Sequence, residues 1–214
     1  MKKYILAAII MALPFGMMNA QRGLISTKKL YTKKADMTEY QKAGAVPEVN
    51  GKVVFEKEIK AEGKTKDQLY QMMASFAALR FEANSRRGDW REPNFFRNID
   101  YAKVTKADKA AGLIEAQGAE ELIFSNKTLS QDYTQVFYRF QMNISDGTVR
   151  ATMDNIAYVY AGSADTTRLT AEEWITDKEA LNKKGALRRI NGKFRVKTID
   201  LFSELVSEME EKLK

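Results

Sequence analysis

The sequence predicts an α+β domain: one antiparallel sheet of about five strands with two main helices on one face. Three observations predict it. Val136, Tyr138, Phe140, Met142 and Ile144 place an apolar residue at every second position, and Asp146-Gly147 then turns the chain into a second alternating run, which is the pattern of an antiparallel hairpin. Two segments, 65–80 and 198–214, instead place apolar residues at helical spacing. Their order along the chain is strand, helix, four strands, a connecting segment and a helix. It packs most economically as a sheet with both helices on the same side.

The first element of this domain is "KVVFEKEI". Val53, Phe55 and Ile59 fall on one face of a strand, with Lys57 the exception. Thr65 and Gln68 form a T-x-x-Q capping box that opens a helix, along which Leu69, Met72, Met73, Phe76 and Leu79 or Arg80 recur as core positions. The stretch "NSRRGDWREPNFFRN" at 84–98 reads as a long loop. Its aromatics interleaved with arginine, such as Trp90 beside Arg91, can stack on bases or sugars; alternatively Trp90 and Phe95 fold back as a plug over the core. Ile99–Val104 and Leu113–Phe124 are the next strands, with a bulge expected at Gly118. Asn126-Lys127-Thr128 is a formal glycosylation sequon to which no role is assigned. In the hairpin, Val149, Ala151 and Met153 hold one parity, and Ile156, Tyr158 and Tyr160 hold the other. A bulge near Asp154-Asn155 keeps both sets on one face. A T-x-x-E box at Thr170 and Glu173 starts a short helix, seated by Trp174, Ile175, Ala180 and Leu181. A basic turn or extended segment follows, and then the final helix, with Ile199, Phe202, Leu205, Val206, Met209 and Leu213 on one stripe.

Composition and the chain start bound the chemistry. The 214 residues contain no cysteine and no histidine, which excludes disulfides, thiolate or imidazole metal sites, and Cys-His or Ser-His-Asp nucleophiles. It also excludes a lipid-modified N-terminal cysteine. Met1-Lys2-Lys3, the apolar run Tyr4–Leu13, then Pro14, Gly16 and Ala20 have the layout of a secretory signal peptide, with cleavage expected between Ala20 and Gln21. The apolar run is shorter than the roughly 20 residues that span a bilayer. The expected organisation is therefore a signal peptide at 1–20, an extended or flexible lead-in at 21–50, and one α+β domain at 51–214. The formal charge of +7 falls to +5 without Lys2 and Lys3, which is mildly basic and below that of a dedicated nucleic-acid binder.

Four stretches carry a family resemblance: "GAEELIFSN" at 118–126, "IAYVYAG" at 156–162, "TAEEWITDKEALNKKG" at 170–185 and "GKFRVKTIDLFSEL" at 192–205. Together they resemble an exported bacterial domain family of unknown function with a TATA-binding-protein-like fold, over roughly residues 51–210. The resemblance implies the topology β-α-β-β-β-β-α. It supplies no activity and hence no catalytic residues, and loop 84–98 looks longer than the family's usual connection.

The acid pairs Glu120-Glu121 and Glu172-Glu173 are neighbours in sequence, whose side chains diverge rather than face each other about 5 to 9.5 Å apart across a bond. No enzyme activity, cofactor or metal site is therefore expected. The basic run Lys183, Lys184, Arg188, Arg189, Lys193, Arg195 and Lys197 has no acid within it. It is either a solvated strap that meets acids nearby or a contact for phosphates, sulfated glycans or lipid head groups. The leading expectation is an exported, non-enzymatic binding module of the envelope or exterior. Its partner would be a protein, a glycan or an anionic surface, with no nucleic acid and no membrane span after cleavage. Lys183, Lys184, Arg188, Arg189, Lys193, Arg195, Trp90 and Arg91 are its candidate contacts. The alternatives are a carboxylate- or lysine-based enzyme and an assembly subunit that pairs through its sheet.

Overall fold

The computed structural model describes residues 37–82, 102–127, 130–160 and 168–214. The expected signal peptide, the first part of the lead-in, loop 84–98, the end of the sequon and the linker after the hairpin lie outside the described residues. An antiparallel sheet runs in the order β3 (Phe55–Lys60), β7 (Thr148–Tyr160), β6 (Ser130–Ser145), β5 (Leu113–Lys127), β4 (Lys103–Asp108). A short strand, β8 (Arg168–Thr170), extends it beside the far half of β7. Two helices, α2 (Lys66–Ala77) and α5 (Asn191–Leu213), pack on each other and on the sheet, so the expected β-α-β4-α core is present with β8 added.

Alternation places the core. Ile114, Ala116, Leu122 and Phe124 of β5, Val136 to Ile144 of β6 at every second residue, and Val149, Ala151 and Met153 of β7 are all buried under the helices. The parity switch in β7 is resolved as its sequence predicts. Arg139 pairs with Asp154 but Phe137 pairs with Ala157, so β7 carries one extra residue, and Asn155 sits there at φ 50°. Asparagine tolerates that left-handed conformation, and Ile156 and Tyr158 return to the buried face. At Gly118 the expectation fails. The β5–β6 register runs through it unbroken, and the bulge falls between Ile123 and Ser125. Gly118 has a different reason to be glycine: a Cβ there would run into the ring of Tyr138, its cross-strand partner.

Helix α2 opens with the expected capping box, Thr65 and Gln68 bonding each other's backbone. The first backbone N–H of α2, on Lys66, is held by Asp146 Oδ1 at 2.7 Å, so the β6–β7 turn is docked on the start of the helix. The helix ends in a π-helical turn, Ala78–Glu82. That wider turn rotates less per residue than an α-helix. It brings Phe81 to the middle of the buried face, fully buried, leaves Leu79 64% exposed, and swings Arg80 to the margin. Phe81 lies 5.7 Å from the ring of Phe140 and edge-on to Phe76 and Tyr138.

Two further expectations are corrected. The described part of the lead-in is packed, not extended. It forms α1 (Thr38–Gln41) and β1 (Glu48–Val49), which pairs with β2 (Lys52–Val53) of the domain across a turn at Asn50-Gly51, φ 51° and 73°. Val46 and Val53 join the core, and Tyr40 donates to Asp200 of α5 at 2.6 Å. The final helix also begins seven residues earlier than expected, at Asn191, so Lys193, Arg195 and Lys197 are helical. Phe194 and Thr198 extend its buried stripe, and that periodicity outweighs the turn signal of Asn191-Gly192. Replacing Gly118 with alanine is expected to destabilise the domain by about 2–3 kcal/mol in urea unfolding, because the new methyl must displace a packed aromatic ring.

Candidate functional site

Each acid pair is occupied structurally. Glu173 completes the capping box of α3 (Ala171–Trp174), accepting from Thr170 Oγ1 at 2.8 Å, while Glu172 accepts the backbone N–H of Val53 at 3.0 Å. Glu120 and Glu121 point to opposite faces of β5. Glu120 is on the helix side, where Arg80 donates to it at 2.6 Å and the Tyr138 hydroxyl also donates to it. Arg80 reaches Glu208 of α5 at 3.1 Å as well. Burial works against the Arg80 charge, but Glu120 and Glu208 outweigh it and hold the guanidinium above its ordinary range. Burial and Glu120 likewise push the Tyr138 phenol well up. This cluster ties the end of α2 to β5 and α5. Among the described residues no group of three acids is disposed to hold a metal ion, and no helix is long and apolar enough to cross a membrane.

The basic segment divides into residues with different work. An antiparallel bridge between Leu181 and Leu187 closes a tight turn just after α4 (Asp177–Ala180). Asn182 Oδ1 shapes it by accepting from the backbone of Lys184 at 2.8 Å and Ala186 at 3.1 Å, with Gly185 at φ 76°. Lys183 and Lys184 project from the tip and are exposed, as is Arg189. Arg188 is exposed but oriented, its Nε donating to the carbonyl of Leu181 at 3.0 Å. Lys193 is paired with Asp132 at 2.7 Å.

Arg195, expected among the contacts, is fully buried. Its Nε donates to the carbonyl of Tyr40 at 2.7 Å, Nη1 to that of Ile175 at 2.9 Å and Nη2 to that of Lys42 at 3.1 Å, with Asp177 Oδ1 2.7 Å from Nη2. The planar fork supplies donors in the directions these acceptors require, so Arg195 is a structural knot and not a contact. Trp90 and Arg91 lie outside the described residues.

Arg188, Arg189, Lys193 and Lys197 converge on a cavity of about 210 Å³ beside the first turns of α5. Met37, Phe124, Leu187, Gly192 and Val196 complete its walls, and among the described residues no acidic side chain lines it. No side chain caps the start of α5, where the backbone N–H groups of Gly192 and Lys193 donate instead to the carbonyls of Arg188 at 3.0 Å and Ile190 at 2.9 Å, and the helix dipole adds to the positive field. Lys197, read as part of the basic run but not as a contact, is 8% exposed, and among the described residues its Nζ has no hydrogen-bond partner. Burial lowers its pKa, opposed by the charges of Asp200 and Glu204. The i, i+4 spacing of Lys193 and Lys197 is the signal that would have found it, had the helix been recognised from Asn191. A second hollow, of about 490 Å³, lies between α1 and α5. Its polar groups, including Glu39, Lys42 and Asp200, are of mixed charge.

Comparisons with known proteins agree with this architecture. A family model described as a domain of unknown function (DUF4468) with TBP-like fold matches residues 55–159. A crystal structure of a DUF4468 family protein from Bacteroides ovatus shares 35% identity and superposes with a TM-score of 0.71, over 84% of this chain and 96% of that one. A TBP-like protein from Parabacteroides distasonis, at 19% identity, shares the fold with a TM-score of 0.61 over 78% of this chain and 96% of that one. No curated protein matches the chain.

The acids of α5 make a pH prediction. Burial raises the carboxyl pKa values of Asp200, Glu204 and Glu208, and Glu208 raises that of Glu204 further. As pH rises through the ordinary carboxylate range the unfolded chain ionises first, so stability falls until the raised folded-state values are passed and is level above them. Glu204→Gln is expected to raise stability at neutral pH and to shrink the difference between mildly acidic and neutral pH, read by urea unfolding across that range.

Proposed function

The chain belongs to the DUF4468 family of domains with a TBP-like fold, and from that premise we propose that it is an exported, non-enzymatic binding module that takes an anionic partner at the start of α5. The observation that carries this reading is the cavity at which four cationic side chains meet without an acid among its described lining residues. Like charges gathered beside the positive end of a helix favour an added anion, and the acids already present, Asp132 beside Lys193 and Asp200 and Glu204 beside Lys197, offset them only in part. The proposal of export rests on the layout of residues 1–20, and the solved relatives come from Bacteroides ovatus and Parabacteroides distasonis. The non-enzymatic reading is supported by the paired acids, which are engaged in capping, strand and ion-pair contacts.

The fold itself argues for no particular partner, because one fold hosts many functions. Nor does the outer sheet face favour nucleic acid. Cations on it are already paired, Arg139 Nε donating to Asp154 at 2.7 Å and Arg150 lying 3.4 Å from Glu58, and these acids, with Glu115, repel phosphate. Assembly through that face has equally little support, because the large apolar side chains exposed among the described residues are Val49, Leu79 and Ile190, none of them on the sheet.

The test reverses the charges that hold no structural contact. Lys183→Glu/Lys184→Glu/Arg189→Glu is expected to weaken binding of the mature chain to sulfated dextran, a generic polyanion, at least about tenfold. It should also flatten the salt dependence while leaving the unfolding transition near that of the native protein. Unchanged polyanion binding would contradict the reading.

A further inference from the structure

The chemistry of the cavity narrows the class of anion, on the premise that the start of α5 does bind one. A neutral sugar is held by side chains that both donate and accept hydrogen bonds, yet among the described residues lining this cavity the polar side chains, Arg188, Arg189, Lys193 and Lys197, only donate. The walls are instead cationic or apolar. Phe124, Leu187 and Val196 provide hydrocarbon, and the stem of Lys197 lines the cavity with its buried, unpartnered ammonium. That combination suits a single anionic group attached to an apolar body.

The rim points to a surface and not to a free small molecule. Ile190, directly before the helix, is 59% exposed, and it is flanked in sequence by Arg188, Arg189 and Lys193. The turn tip with Lys183 and Lys184 leads into the same stretch. A lone exposed isoleucine has no meaning by itself. An isoleucine set among cations beside a basic cavity has the composition of an interfacial anchor, in which the apolar side chain enters the head-group region and the cations meet lipid phosphates. Between the expected cleavage point and Met37 the chain is itself predominantly basic, with Arg22, Lys28, Lys29, Lys33 and Lys34 against one acid, Asp36. The acids near the site are Asp132 beside Lys193, and Asp200 and Glu204 beside Lys197.

We propose that this segment docks the protein on an anionic phospholipid surface, with one lipid phosphate seated in the cavity at Lys197 and Ile190 entering the interface. Arg189 and the turn lysines then face neighbouring head groups. The attraction is electrostatic and salt-sensitive, and Ile190 adds a contribution that salt does not screen.

Sedimentation of the mature chain with vesicles of phosphatidylcholine, with and without phosphatidylglycerol, tests this, with sulfated dextran as a soluble polyanion in parallel. The expected result is partition onto the phosphatidylglycerol vesicles alone. Ile190→Ser should lower that partition roughly threefold to tenfold and leave dextran binding unchanged. Lys197→Met, which keeps the length of the side chain and removes an unpaired buried charge, should keep the fold and also weaken vesicle binding. Dextran binding without vesicle binding would overturn the lipid assignment and leave the anion-binding reading standing, as would tighter binding to polyglutamate than to vesicles. Vesicle binding indifferent to both Ile190 and Lys197 would reduce the contact to diffuse adsorption and overturn the proposed seat. Loss of both dextran and vesicle binding in the native chain would overturn the two readings together.

Discussion

One buried guanidinium gathers the parts of this domain that are distant in sequence. Arg195, inside the second turn of α5, bonds the carbonyls of Tyr40 and Lys42 from the N-terminal segment and that of Ile175, which ends α3, and meets Asp177 of α4. Removing a charge from water is costly, and it is tolerated here because acceptors surround the fork on three sides. The same contacts settle where everything else near α5 lies. With Tyr40 and Lys42 held, Met37 comes against the helix to wall the basic cavity. With Ile175 and Asp177 held, α4 leads into the Leu181–Leu187 turn, whose Leu187 lines that cavity, and Asp177 in turn accepts the backbone N–H of Gly44 at 2.8 Å.

Features set by near neighbours in sequence are legible in the sequence itself. Both capping boxes depend on residues three apart, and both form. The parity switch in β7 demanded a bulge, and Asn155 provides it. Features set by distant neighbours were not legible. Nothing local distinguishes Arg195 from Arg189, because two of the acceptors that bury Arg195 are 153 and 155 residues away. Gly118 looked like a bulge because its real constraint, the ring of Tyr138, comes from another strand. The π-helical turn that exchanges Arg80 for Phe81 in the core leaves no mark on an apolar spacing argument.

The candidate site was half legible for the same reason. The run of cations at 183–197 was visible as composition. Its division into a structural arginine, an oriented arginine, a paired lysine, a buried lysine and exposed cations follows from packing. The acids show the converse. Their pairing in sequence hinted at chemistry, and in three dimensions Glu120, Glu172 and Glu173 each serve a neighbouring donor. Of the run's cations, Lys183, Lys184 and Arg189 stay exposed and without a structural contact, close in sequence to the exposed Ile190.

That division of labour is the central claim, and it is tested most directly by comparing Arg195→Met with Arg189→Met in urea unfolding. A loss of about 3 kcal/mol or more is predicted for Arg195→Met, because three carbonyls and Asp177 lose their donor in a buried place, and a change within about 0.5 kcal/mol for Arg189→Met. Equal effects of the two substitutions would contradict the account, since the buried knot and the exposed binding surface would then not be separate.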